Sequence, residues 1–316
     1  MKNNMKGGAN DTCPALVKAT KLQSFNLDNI HTYLSGPSTN HTSPTDTVLI
    51  LTPLMDAVPF LERYFSKLAT IDYPKELLSL GFLVSTAPDQ EVDPTLQAVE
   101  KHTSQLDNSS DYRRITLLQQ KSKSTQRYEE RHEYDRQTKR RQTLARCRNA
   151  LVTTALLDES WVLWLDVDVV EYAPTLLLEL MRFNKDIIAP NCFRKIQSWP
   201  TTKNEPYDRN NWIETTESLA EQQVLDEDDI LYEGYEYEQP TYRLSMADMD
   251  EQSPEIMPID GIGGTFTLVK ALVHRSGVGF PTFPVNHQIE TEGFAKWAKR
   301  EGFSVWGAPR HIVMHA

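Results

Sequence analysis

The stretch WVLWLDVDVVEYAP, Trp161 to Pro174, decides how this chain is read. Its tryptophan, leucine and valine residues predict a buried β-strand, because aromatic and β-branched side chains fit a pleated surface. The run ends in two aspartates one residue apart, Asp166 and Asp168. An ionised carboxylate in apolar surroundings is costly unless something pairs with it. Two of them require a strong cationic partner. Alternate residues of a strand share a face, so the two carboxylates are expected to project together if the strand persists through them.

Working outward, strands and helices alternate. TVLILTP (47–53) reads as a buried strand, VPFLERYFSKLAT as a helix, LSLGFLVS as a strand, PTLQAVEKH as a helix and ITLLQQ as a strand. A long charged helix is expected from about 128 to 157, ahead of the quoted strand. APTLLLELMRF then reads as a helix entered through a proline, and DIIAPNC as a strand. This alternation predicts an α/β fold, with a mostly parallel, Rossmann-like sheet flanked by helices. From about 193 to 258 the rhythm gives way to a polar, acidic and aromatic insertion. It resumes with GGTFTLVKA, the helix ETEGFAKWAKREG, the strand SVWGAP and a second short strand, HIVMH. The first 46 residues, rich in Asn, Ser, Thr and Pro, read as a stem or lead-in, and 47–316 as one domain.

The chain of 316 residues has a formal net charge of −11, which excludes nucleic acid as a main partner, since that binding depends on neutralising phosphates. The charge is unevenly distributed. Lys121 to Arg148 holds ten Lys and Arg against four acids, and Val224 to Asp260 holds twelve acids against one Arg. Either run would serve as a solvated face. A basic helix in an acidic protein also suits a small polyanion. Three cysteines in no CxxC pattern exclude a structural zinc site and a disulfide framework. Sequons at Asn10, Asn40 and Asn108, in loop-like sequence, point to a secretory lumen. The opening residues lack the apolar core of a signal peptide.

In open α/β sheets, ligands bind beyond the carboxyl ends of strands. A divalent cation held by Asp166 and Asp168 would offset both charges and could neutralise a diphosphate. The pattern suggests two enzyme classes: a metal-dependent nucleotide-sugar transferase, and an aspartyl-phosphate hydrolase whose D-x-D-x-[TV] signature DVDVV also meets. The hydrolase nucleophile follows the first strand of its domain, whereas this pair follows about three strand–helix units. Asp228 and Asp229 would be its further acids. A lectin-like module is a third reading. In RRQTLARCRNALVTTAL, Arg140, Arg141, Arg148 and Asn149 fall at spacings that allow a shared helix face, and arginine suits bidentate phosphate recognition. Imidazole from His315 joining the carboxylates would favour Mn2+ over Mg2+. Glu290 and Glu292 either favour a helix dipole or hold acceptor hydroxyls. DGIGG (260–264) reads as a turn beside a binding site where Asp260 meets a sugar hydroxyl. Trp212, Tyr232, Tyr235 and Tyr237 are candidates to stack on sugar rings.

WVLWLDVDVVEYAP, YDRNNWIE, LDEDDILYEGY, DGIGGTFTLVKA, VHRSG and ETEGFAKWAKR, in this order and spacing, closely resemble the fungal mannan-polymerase family of Golgi α-mannosyltransferases. The likeness runs from about Leu49 to His315. It implies a GT-A catalytic domain over 47–316, GDP-mannose as donor, Mn2+ as cofactor and extension of the α-1,6-linked mannan backbone of N-glycans. It also implies a type II protein of the Golgi lumen, working with other mannosyltransferase subunits, whose membrane anchor is absent from this chain. A member with a mainly structural or priming role is the alternative within the family.

By matching motif positions, the resemblance implies that Asp166, Asp168 and His315 hold the metal. Thr52, Pro53, Arg140, Arg148 and Asn149 are expected on the nucleotide side. Asn211, Trp212, Glu214 and Asp260 are expected around the acceptor, with Glu290 and Glu292 joining the aspartates as catalytic residues.

Overall fold

The computed structural model describes residues 45–87, 92–109, 112–121, 133–198, 201–235, 238–249 and 252–316. The proposed lead-in over 1–46 therefore lies almost wholly outside the described residues, as do Tyr237, Asn10, Asn40 and the first part of the expected charged helix.

The first half alternates as expected: β1 (Val48–Leu54), α1 (Val58–Ala69), β2 (Leu78–Thr86), α2 (Pro94–Ser109), β3 (Arg114–Lys121), α3 (Gln137–Ala155), β4 (Trp161–Leu165), β5 (Val169–Glu171), α4 (Leu176–Arg182) and β6 (Ile187–Ser198). The insertion contributes β7 (Thr201–Pro206), β8 (Trp212–Ile213), α5 (Thr216–Gln222), β9 (Leu244–Ser245) and β10 (Met257–Pro258). The chain closes with β11 (Phe266–Lys270), α6 (Ala271–Arg275), α7 (Glu290–Arg300) and β12 (Val305–His315).

The main sheet runs β10-β12-β6-β11-β4-β1-β2-β3 among the described residues. Strands β3, β2, β1 and β4 are parallel, β11 is antiparallel to both β4 and β6, and β12 is parallel to β6. Six strands of that path thus share one direction, with β10 and β11 opposed. This is the α/β architecture with a mostly parallel sheet that the sequence predicts.

Helices cover both faces because the strands alternate. Leu163 and Leu165 pack with Leu61, Tyr64 and Leu68 of α1 and Leu177 of α4, while Val162 and Trp164 pack with Leu151 and Ala155 of α3 and Phe294 of α7. Helix α1 buries Leu61, Tyr64, Phe65 and Leu68, an i, i+3, i+4, i+7 stripe.

Four sequence expectations need correction. The quoted strand ends at Leu165, and Asp166 to Asp168 form a turn before β5. Helix α3 starts at Gln137, after a 3-10 turn over Tyr134–Arg136, and stops at Ala155 because Leu156 is extended. SVWGAP and HIVMH belong to a single strand, β12, whose register shifts between Ala308 and Ile312, where Pro309 cannot donate to the ladder. Asn108 lies in the last turn of α2 rather than in a loop.

Candidate active site

Strand β4 delivers Asp166. Val162 and Trp164 face α3, and Asp166 continues that alternation by one step: its N–H donates to Thr265 O at 2.9 Å, so the ladder with β11 runs one residue past the strand. A turn follows, in which Val169 N–H donates to Asp166 O at 3.2 Å. Asp168 therefore reaches different company. Its Oδ2 lies 2.9 Å from His315 Nε2, and its carbonyl accepts from Ala316 N–H at 2.9 Å. The His315 ring stacks on Tyr207, with centroids 3.6 Å apart. The aspartates do not project as a strand pair, yet both line one open cleft of about 770 Å3.

The facing wall is α3. Its inward stripe is Gln137, Arg141, Ala145, Arg148, Val152 and Ala155, all buried, so the stripe is cationic at the start of the helix and apolar at its end. Arg148 Nη2 lies 3.3 Å from Asp166 Oδ1 and its Nε donates to Glu290 Oε1 at 2.8 Å. Arg141 pairs with Glu292, whose other oxygen accepts from Trp212 Nε1 at 2.9 Å. The solvated-face reading of the basic helix thus fails for Arg141 and Arg148. Arg140 also lines the cleft.

The electrostatics follow from this crowding. Burial pushes the Asp166 carboxyl up to about 6, Arg148 pulls it down, and Asp168 and Glu290 add to the rise. Burial opposes the charge on Arg148, but Asp166 and Glu290 outweigh it and hold the guanidinium firmly cationic. Its buried Nη1 has no hydrogen-bond partner among the described residues, an unmet donor beside the cleft. Burial likewise opposes protonation of His315, and Asp168 overrides it. Glu290 sits at φ 55°, a left-handed conformation rare outside glycine. Such strain persists where surrounding contacts impose it; here they are the Pro281 carbonyl on its N–H and Arg148 on its carboxylate.

Sequence reasoning passed over Asp208, which is buried and lines the cleft. Its Oδ2 accepts from Thr265 Oγ1 at 2.6 Å, and its Oδ1 from Asn210 N–H at 3.1 Å. The signal available was DGIGG. A Cβ at Gly263 would collide with the Asp208 carboxylate, and one at Gly264 with the Arg148 guanidinium. The turn is therefore beside the cleft, as expected, and its glycines make room for two of the cleft's charged groups.

Other expected residues stand behind the cleft and are not among those lining it. Thr52 is fully buried, donating to Leu165 O at 2.8 Å and meeting Tyr64 OH at 2.7 Å, so it pins the end of β1 to the end of β4. Pro53 pairs with Leu83 in the sheet. Asn149 spends both ends of its amide on the backbone of Phe280, each bond 2.8 Å. Asn211 Oδ1 accepts from Gly263 N–H at 3.0 Å. Trp212 is fully buried beneath Arg243, whose guanidinium carbon lies 3.7 Å from its ring. Glu214 is held by Lys296 at 2.6 Å and Arg243 at 3.3 Å, and burial, which alone would raise it, is outweighed so that it falls to about 2. Asp260 accepts from Glu214 N–H at 2.9 Å and pairs with Lys299, so it meets protein rather than an open site. Of the aromatic candidates, Tyr232 is buried against Arg141, and Tyr235 lines the cleft. Asp228 and Asp229 are not among the residues lining it.

Among the described residues no three His, Cys, Asp or Glu side chains already surround a single point as a cation's ligands would. The donor set nevertheless fits a divalent metal. Asp166 and Asp168 offer hard oxygens, His315 offers imidazole, and all three line one cleft.

The sequence profile of the Anp1 family matches residues 22–284. The mannan polymerase complex subunit mnn9 of Schizosaccharomyces pombe is 41% identical over 281 residues, spanning 85% of this chain and 80% of its own length. The mannan polymerase II complex anp1 subunit of the same organism is 36% identical over 300 residues, spanning 93% and 69%. Among solved structures, the mannosyltransferase PcManGT from Pyrobaculum calidifontis in complex with GDP-Man and Mn2+ aligns over 90% of this chain and 62% of its own, with a TM-score of 0.48 and 14% identity. A profile match over most of the chain, joined to relatives that it spans by more than two thirds, means that this chain belongs to the Anp1 family.

Proposed function

We propose that the chain is a mannosyltransferase that moves mannose from GDP-mannose, with Mn2+, onto the α-1,6-linked mannan backbone of N-glycans. One observation carries this reading: a carboxylate pair at the end of β4 faces buried arginines of α3 across an open cleft. Relatives named as mannan polymerase subunits support mannan as the product. The same names support partner subunits; a Golgi lumenal setting and residues 47–316 as one catalytic domain behind a stem belong to the same proposal. No helix among the described residues is long and apolar enough to cross a membrane.

In this reading Asp166, Asp168 and His315 hold the cation, which when bound neutralises charge on the diphosphate. Arg148, with an unmet buried donor, and Arg140 stabilise the negative charge that grows on departing GDP. Glu290, which pairs with Arg148 Nε, would keep that guanidinium in place with Asp166 holding the cation. GDP-mannose is α-linked, so an α-linked product means net retention. The β-phosphate then takes the acceptor proton as the acceptor attacks the same face, and no side chain need act as base. Asp208 borders the cleft between Thr265 and Tyr207, where it can accept a sugar hydroxyl.

A second reading, a subunit with a structural or priming role, is favoured by the ion pairs that engage both aspartates. The phosphohydrolase is not favoured, since its further acids, Asp228 and Asp229, are not among the residues lining the cleft. A thermal-shift titration with GDP, with and without MnCl2, tests the proposal, with UDP and ADP as controls. Stabilisation should follow RT ln(1 + [L]/Kd) and depend on both GDP and Mn2+. No shift with any nucleotide would overturn it.

A further inference from the structure

A second cavity, of about 520 Å3, shares no lining residue with the cleft. Its volume falls within the roughly 300–1,000 Å3 of small-molecule sites. Its polar wall consists of Gln222, Gln223, Glu227, Asn286, His287 and Arg300. The side chains of Gln223, Glu227, Asn286 and Arg300 have no hydrogen bond or ion pair among the described residues, so their donors and acceptors are uncommitted. Leu219, Leu225 and Pro284 supply apolar strips beside them.

This chemistry selects a class of ligand. Planar amide, carboxylate and guanidinium groups present adjacent donors and acceptors of the kind that vicinal hydroxyls require. Apolar strips suit the C–H faces of a ring. Glu227 and Arg300 cancel in charge, which favours a neutral ligand over a phosphate. A neutral saccharide meets all three conditions.

The walls are also held in shape. Asn286 and His287 adopt φ 49° and 62°, consecutive left-handed residues of the kind that persists where surrounding contacts impose it. His287 O accepts from Leu231 N–H at 2.9 Å, which ties this turn to the loop carrying Glu233 and Tyr235 into the cleft. On the other wall, Gln222 Nε2 donates to Glu214 Oε2 at 2.9 Å and so joins the network around Trp212.

We propose that this cavity is a second saccharide subsite, holding sugars of the acceptor remote from the reacting hydroxyl. The proposal rests on the mannosyl-transfer reading and deepens it. The test uses the full chain, linear α-mannoside dimer and tetramer, and the variants Gln223→Ala, Arg300→Ala and their combination. Neither residue belongs to the cleft, and both are exposed, so folding should survive.

Without nucleotide, the tetramer should protect the amides of 219–227 and 284–287 from hydrogen exchange in the parent chain and not in the double variant. In transfer assays the KM for the tetramer should rise about fivefold per hydrogen bond lost, with kcat and the KM for the dimer unchanged. Protection that survives the double substitution, or a KM rise that is equal for both lengths, overturns the subsite. Transfer without length dependence or protection overturns it and leaves the transfer reading standing. Protection that behaves as described with no transfer from any nucleotide sugar leaves the subsite standing and removes the transfer reading. Loss of co-purification with a partner subunit, with tetramer protection intact in the double variant, marks a protein interface and also overturns the subsite.

Discussion

Arg148 bridges two carboxylates, one 18 and one 142 residues along the chain, meeting Asp166 at 3.3 Å and Glu290 at 2.8 Å. A guanidinium has five donors in a fixed fork, so it can release one partner and keep the other. Asp166 is the partner that a metal would claim. Glu290, strained at φ 55°, is the one that stays.

Replacing Asp166 or Asp168 by alanine should therefore abolish mannosyl transfer and Mn2+-dependent stabilisation by GDP while the fold remains intact. Near-parent turnover in either variant would remove them from the site. Circular dichroism on the same samples separates loss of function from loss of structure.

Glu292→Ala should destabilise the protein by about 3–5 kcal/mol, because it leaves the buried Arg141 charge uncompensated. The exposed pair Lys195–Glu171, 3.3 Å apart, provides the contrast: Lys195→Ala should cost less than about 1 kcal/mol. Urea unfolding midpoints of the two variants make the comparison, and equal losses would contradict the buried network.

Asn149→Ala distinguishes a structural from a nucleotide-binding role. Removing both hydrogen bonds to Phe280 should cost about 1–3 kcal/mol and leave GDP affinity unchanged. A selective loss of GDP affinity at unchanged Tm would restore Asn149 to the nucleotide side.

Gly264→Ala should behave in the opposite way. The added methyl displaces the end of a long arginine side chain rather than backbone, so stability should fall modestly while nucleotide-dependent stabilisation is lost. Unaltered GDP binding would show that the position of Arg148 against Asp166 is unimportant.

His274 sets a stability threshold in acid. Burial lowers its imidazole from 6.5 to about 4, with the Val278 carbonyl opposing the fall. Trp164 Nε1 donates to its Nε2 at 3.3 Å, a bond only the neutral ring accepts. The unfolded chain binds the proton more readily between those two values, so stability is full above about 6.5 and falls as pH drops towards about 4. The loss is of order 3 kcal/mol. Urea unfolding across that range should show the slope, and His274→Gln should flatten it.

The local patterns carried much of the answer. Apolar runs and helical spacing suffice for α1, β1, β2 and β4, because burial of alternate or every third and fourth residue is a property of the segment itself. The position of Asp166 beyond β4 was legible for the same reason, and DGIGG marked a place where side chains had to be absent. What the linear pattern left open was which charges meet. Arg141 and Arg148 look on paper like a solvated face. They are buried because α7 brings Glu292 and Glu290 to them from 151 and 142 residues further along the chain. Asp208 was hidden in a polar insertion, and Asp168 turned away from Asp166 to a histidine at the far end of β12. A buried charge is tolerated only where an opposite charge arrives from elsewhere in the fold, so partners distant in sequence, and with them the shape of the cleft, were settled by tertiary structure alone.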